Sequence, residues 1–199
     1  MVELIAQLLL SAAGEMWRRE PSLSRYTQET SEYEPNLSFH FGIELWRWLP
    51  WFDCDFDVRK VAMNDERPDL IFHRRGTHAV NYLVVEVKRE RSRRAANADL
   101  NQIRERWFRG NLRYRYGASL ILDEALRTAE ARVFAGIAPT NQIVRAWAAH
   151  KPVTPRCYDH IQNDNVLRLI DRLAACPEAK RTASATELDE AIGALYPLS

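Results

Sequence analysis

Residues 68–73, PDLIFH, and residues 82–88, YLVVEVK, decide how the rest of this chain is read. The first stretch sets an acid, Asp69, between Pro68 and the apolar run Leu70, Ile71, Phe72. The second is apolar on both faces until it ends on Glu86, Val87 and Lys88, which predicts a central strand covered from both sides. Residues i and i+2 of a strand point the same way, so Glu86 and Lys88 are expected to project together while Val87 enters the core. If the two stretches pair as an antiparallel hairpin, Asp69 lies beside Glu86. Two carboxylates and an ammonium then converge at the end of an apolar strand, an arrangement that costs free energy unless a cation compensates it. Magnesium takes hard oxygen ligands and often uses one or two carboxylates with phosphate oxygens and water. The grouping has the chemical shape of a magnesium site for phosphodiester hydrolysis.

Outward from this hairpin, Phe52, Cys54, Phe56 and Val58 alternate with Asp53, Asp55, Asp57 and Arg59, the pattern of a half-buried strand. Residues 64–68 form a turn and residues 74–81, with Gly76, a connection. Residues 116–122, YGASLIL, read as another buried strand, and residues 95–109 as a helix offering Leu100, Ile103, Trp107 and Phe108 for packing. Upstream, Leu4, Ile5, Leu8, Leu9, Ala12 and Met16 recur at helical spacing. Residues 20–35 are polar and read as a connection, and helical spacing resumes from Asn36 through Leu37, Phe41, Leu45 and Trp48 until Pro50. Everything after about Asp123 reads as helices punctuated by prolines, with Ser184 and Glu187 as a capping box opening the last one. The expectation is an α/β or α+β domain with a mixed central sheet flanked by helices. Its divisions are an N-terminal helix and connection (1–33), a core (34–122) and a helical C-terminal extension packed on the core (123–199).

The 199 residues suffice for one well-packed domain, and 46% hydrophobic with 28% charged residues is ordinary globular composition. The apolar run at residues 8–13 is too short to span a bilayer, so no membrane association is expected. Residues 1–13 lack a basic segment, and the three cysteines (Cys54, Cys157, Cys176) show no zinc spacing, which argues for a reducing, cytoplasmic setting. With only 7 glycines and no glycine-rich phosphate loop, nucleotide-binding motifs are excluded. The five histidines show no metal-binding spacing, and His73 is expected to serve as a hydrogen-bonding residue. Net charge is +1, but residues 67–115 hold 13 Lys/Arg against 5 Asp/Glu, an excess of 8 that marks a footprint for a polyanion. Trp107, Tyr114 and Tyr116 have the chemistry to stack on bases, although core packing is the ordinary fate of such residues.

Pro68-Asp69, a gap of 16 residues and then Glu86-Val87-Lys88 resembles the PD-(D/E)XK nuclease superfamily. The similarity spans roughly residues 34–122: RPDLIFHRRG (67–76) and NYLVVEVKRE (81–90) look like the hairpin of restriction-endonuclease-like proteins, and the following helix and strand fall where that fold expects them. The resemblance implies that Asp69 and Glu86 bind Mg²⁺ (Mn²⁺ substituting), with the Val87 carbonyl as a further ligand. It implies that Lys88 orients the attacking water or helps to deprotonate it. It offers Glu34 (ahead of Glu44) as an added helix glutamate and Gln102 as a supporting polar residue. Arg89, Arg91, Arg93, Arg94, Arg104 and Arg106 would contact phosphates, together with Arg109, Arg113 and Arg115. The implied activity is a magnesium-dependent endodeoxyribonuclease, with DNA ahead of RNA as substrate and a homodimer or partner protein in view. The alternative is an inactive nuclease-fold module that binds nucleic acid or a protein, within a larger nuclease or defence system.

Overall fold

In a computed structural model, residues 1–30, 33–57, 67–90, 101, 103–108, 112–136, 144–147 and 163–196 are described. Three helices come first: α1 (Val2–Arg19), α2 (Leu23–Thr30) and α3 (Tyr33–Trp48). Six strands follow: β1 (Asp53–Phe56), β2 (Leu70–His73), β3 (Asn81–Arg89), β4 (Tyr116–Asp123), β5 (Thr128–Ala135) and β6 (Val144–Trp147). Then come α4 (Asp164–Ala174), a 3₁₀ turn (Glu178–Lys180) and α5 (Arg181–Leu195). The strands form one mixed sheet in the order β1-β2-β3-β4-β5-β6. All neighbours are antiparallel except β3 and β4, which run parallel and so need a crossover between Arg89 and Tyr116. A five-residue π turn, Ile103–Trp107, lies in that crossover. The mixed sheet flanked by helices is the fold class read from the sequence. No helix of the described residues is long and apolar enough to cross a membrane.

The two faces of the sheet are covered differently. On one, Leu70, Phe72, Leu83, Val85 and Val87 join residues of α1, α3, α4 and α5 in the main core. Helix α1 is apolar nearly all round, as a helix buried between a sheet and other helices must be, and it lies against β5, β6 and α3. On the other face a second cluster joins Ile71, Val84 and Phe134 to Ile103, Trp107, Leu112 and Tyr114 of the crossover. Alternation along β2 and β3 sets Asp69, Glu86 and Lys88 on this second face. The crossover approaches closely because β4 has no side chain at Gly117. A Cβ there would lie 2.3 Å from Ile103 Cγ2 and 2.9 Å from Phe108 Cζ.

Several expectations are corrected. Residues 20–35 are not a mere connection, since they contain α2, which among its described side chains buries Leu23 and Thr27. Helix α3 starts at Tyr33 rather than Asn36. The segment after Asp123 is not all helical: β5 and β6 extend the sheet, so the expected helical extension of 123–199 supplies two of its strands. In β5 the alternation is carried by Ala129, Ala131 and Val133 against Glu130 and Arg132, and alanine is a weak strand signal. Ser184 does not open the last helix. That helix begins at Arg181, directly after the 3₁₀ turn, and Glu187 pairs with Arg172. The described part of the expected helix at 95–109 includes the π turn.

On the edge strand, Asp55 binds Arg75, and its Oδ2 lies 2.7 Å from His73 Nε2, the hydrogen-bonding role expected of His73. The Arg75 hydrogen bond, and then His73, hold the Asp55 carboxyl below its ordinary 3.8 against the opposing effect of burial. A depressed folded pKa means stability that is present above the unfolded value and lost as pH falls through the folded one. Asp55→Asn is therefore expected to flatten the loss of stability below pH 3.8 in urea unfolding at a series of pH values; an unchanged acid slope contradicts this. Gly117→Ala is expected to cost about 1–3 kcal/mol by the same measurement, and a neutral result would mean that the crossover does not pack as described.

Candidate functional site

The register of the β2–β3 hairpin explains why a polar site forms at its end. Leu70 pairs with Val85 and Ile71 with Val84, so continuing the ladder sets Asp69 opposite Glu86 and Pro68 opposite Val87. Proline has no N–H to donate, so it cannot claim the Val87 carbonyl. The Val87 amide, beyond the last ladder pair of Leu70 and Val85, donates to a side chain, Asp69 Oδ2, at 2.6 Å. A carboxylate thus ends the ladder where backbone pairing stops. The carbonyl of Val87 accepts from Lys88 Nζ at 3.1 Å, and the same ammonium lies 3.7 Å from Asp69 Oδ2. A positive charge therefore stands where the carboxylate and carbonyl oxygens converge.

Glu86 is held differently. It is 6% exposed, and its Oε1 accepts from Trp107 Nε1 at 3.0 Å. Trp107 is fully buried in the second core cluster, so the indole that seals that core also fixes one carboxylate oxygen. Of the three residues expected together, Asp69 and Lys88 lie 3.7 Å apart and Glu86 is level with Asp69 along the continued register, while Val87 buries its side chain in the main core and turns its amide and carbonyl to Asp69 and Lys88. Among the described residues, no group of three or more His, Cys, Asp or Glu gathers as metal ligands. A metal here would rest on Asp69, Glu86, the Val87 carbonyl and water, a hard-oxygen set of the kind that magnesium accepts.

The other predicted residues fare unevenly. Glu34 lies in the first turn of α3, on the helix packed against the opposite face, and its side chain is outside the described residues. Glu44 is buried and pairs with Arg19 and Arg47. Gln102, Arg91, Arg93, Arg94 and Arg109 lie outside the described residues. Arg104 belongs to the π turn, its side chain likewise outside the description, and Arg106 is exposed on that turn. Arg89 does not face solvent: it is 8% exposed and bound by Glu124 on the helix-covered side, so its expected phosphate contact is replaced by a buried ion pair. Trp107, Tyr114 and Tyr116 are all buried, which excludes base stacking in this conformation.

The basic stretch is also less open than its charge count indicates. Arg67 pairs with Asp57, Arg74 with Asp171, Arg75 with Asp53 and Asp55, Arg113 with Glu178 and Arg115 with Asp189. Carboxylates from outside the stretch thus balance much of its described excess. Sequence reading missed a polar row beside the site. Glu86 is level with Ser119 on β4, and Ser119 with Arg132 on β5. Ser119 is fully buried, and Arg132 donates to Glu130 at 2.7 Å in a buried pair. The signal was the two-residue alternation of β5, hidden by reading that region as helix.

The chain matches no family model, no curated protein and no solved structure.

If Trp107 orients Glu86 through their hydrogen bond, a double-mutant cycle of Trp107→Phe and Glu86→Gln should return a coupling of about 1–3 kcal/mol in chemical unfolding. Strictly additive effects would mean that the two side chains act independently.

Proposed function

We propose that this chain is a divalent-metal-dependent nuclease that hydrolyses phosphodiester bonds in DNA through a centre of the PD-(D/E)XK type. The observation that carries the reading is the end of the β2–β3 ladder. There the Asp69 carboxylate and the Val87 carbonyl, with Glu86 alongside, converge around a positive charge. Asp69, Glu86 and the Val87 carbonyl would hold the metal. Bound there, Mg²⁺ or Mn²⁺ supplies charge on the scissile phosphate and lowers the pKa of a coordinated water.

The protein's own groups do the rest. Trp107 keeps the Glu86 oxygen in one orientation, so little reorganisation is needed when a ligand arrives. The Val87 amide fixes Asp69 through a charge-assisted hydrogen bond. The Lys88 ammonium, only 17% exposed at its side chain, is close enough to orient a water or offset charge developing on a phosphate. Arg106 on the exposed side of the π turn is the described residue most suited to a phosphate contact near this face.

A second reading has one observation in its favour. Because Lys88 already balances Asp69, the centre can keep its charge compensated without a metal, as a non-catalytic nucleic-acid-binding module would. Supercoiled plasmid incubated with Mg²⁺ or Mn²⁺ separates the two. The nuclease reading expects nicking or cutting that chelation stops and that Asp69→Asn, Glu86→Gln and Lys88→Ala each reduce at least about 100-fold. Cleavage by Glu86→Gln at the unaltered rate, or DNA binding without turnover in any metal, contradicts it.

A further inference from the structure

A pocket of about 200 Å³ opens between the start of β3, the end of α4 and the first turn of α5. Tyr82 in its wall precedes Glu86 by four residues along β3, about 13 Å at the rise of a strand. The pocket is thus separate from the carboxylate centre. Its inner surface is formed by Tyr82, Leu173 and Ala185, all buried, while Arg113, Glu178 and Thr182 stand exposed at the rim. At about 30 Å³ per water, the space equals about six or seven waters, enough for a small organic molecule.

The charges around it do not cancel. Arg113 is bound by Glu178, and Arg115 donates to Asp189 at 2.8 Å, so those two arginines are matched. Arg181, half-buried in the same wall, makes no ion pair among the described residues and donates only to the Cys176 carbonyl, at a long 3.4 Å. Beside it, Thr182 lies in the first turn of α5, where the helix dipole adds to the positive potential and no side chain caps the end.

The Tyr82 hydroxyl is sealed inside the protein, on a residue 2% exposed, and interacts with the Asp189 carboxylate, so Tyr82 offers the pocket apolar surface and not a donor.

We propose that this pocket binds a small organic anion, a carboxylate or phosphate monoester with an apolar body, its charged head on Arg181 and its body against Tyr82, Leu173 and Ala185. The inference does not depend on nuclease activity.

Isothermal titration of the full chain with phenyl phosphate and, separately, benzoate tests it. One saturable site is expected for at least one probe, and the tighter of the two identifies the head group. Arg181→Gln should weaken that binding about tenfold or more, since a hydrogen bond to a charged group is lost. Lys88→Ala, far from the pocket, should bind the probe as the unaltered protein does. Absence of saturable binding for both probes, or equal affinity in a folded Arg181→Gln variant, overturns the proposal. Urea unfolding of that variant establishes that it is folded.

Discussion

The hydrogen bond from the Val87 amide to the Asp69 carboxylate is the contact on which the rest of the candidate centre depends. It forms where the β2–β3 ladder ends, beyond the Leu70–Val85 pair. Pro68 has no N–H for the Val87 carbonyl, which is left to the Lys88 ammonium, while the Val87 amide is taken by the Asp69 side chain. Neutral backbone pairing would have filled this position and left no site. With the carboxylate fixed by an amide and the carbonyl facing the Lys88 ammonium, hard oxygens converge on one point without any loop having to fold around them.

The crossover between β3 and β4 supplies the second constraint. A parallel pair forces the chain over the sheet, and here the chain passes on the face that carries Glu86. Gly117 lets Ile103 and Phe108 approach β4, which seats Trp107 against the sheet with its indole N–H on Glu86. Core packing and the orientation of a candidate metal-binding carboxylate are thus one structural event. A buried carboxylate is expensive unless it is hydrogen-bonded, so Glu86 ties the stability of this face to the integrity of the site. The helix-covered side carries the larger core and contributes none of the three charged side chains of the centre.

The hairpin and its site were legible in the sequence because they rest on periodicity and on proline chemistry, both of which are local. Glu86, Val87 and Lys88 had to alternate, and the antiparallel register needed only a short connection. What stayed hidden was tertiary. β5 buries a Glu130–Arg132 pair among alanines, so its charges resemble a helix surface until a sheet neighbour is known. Helix α2 buries Leu23 and Thr27, too faint a stripe to set it apart from a polar connection. The charge excess of residues 67–115 misled in a similar way. Its arginines find carboxylates on β1, α4 and α5 and in the turns that follow β4 and α4, partners that no count along the chain can reveal.

The central claim is that oxygens of Asp69, Glu86 and Val87 make a metal site at the end of this ladder. Calorimetric titration of Mn²⁺ into the intact chain tests it most directly, independently of any substrate. A saturable site that Asp69→Asn and Glu86→Gln each abolish is the predicted result. Metal uptake that is absent from the unaltered protein, or that survives both substitutions, would contradict it.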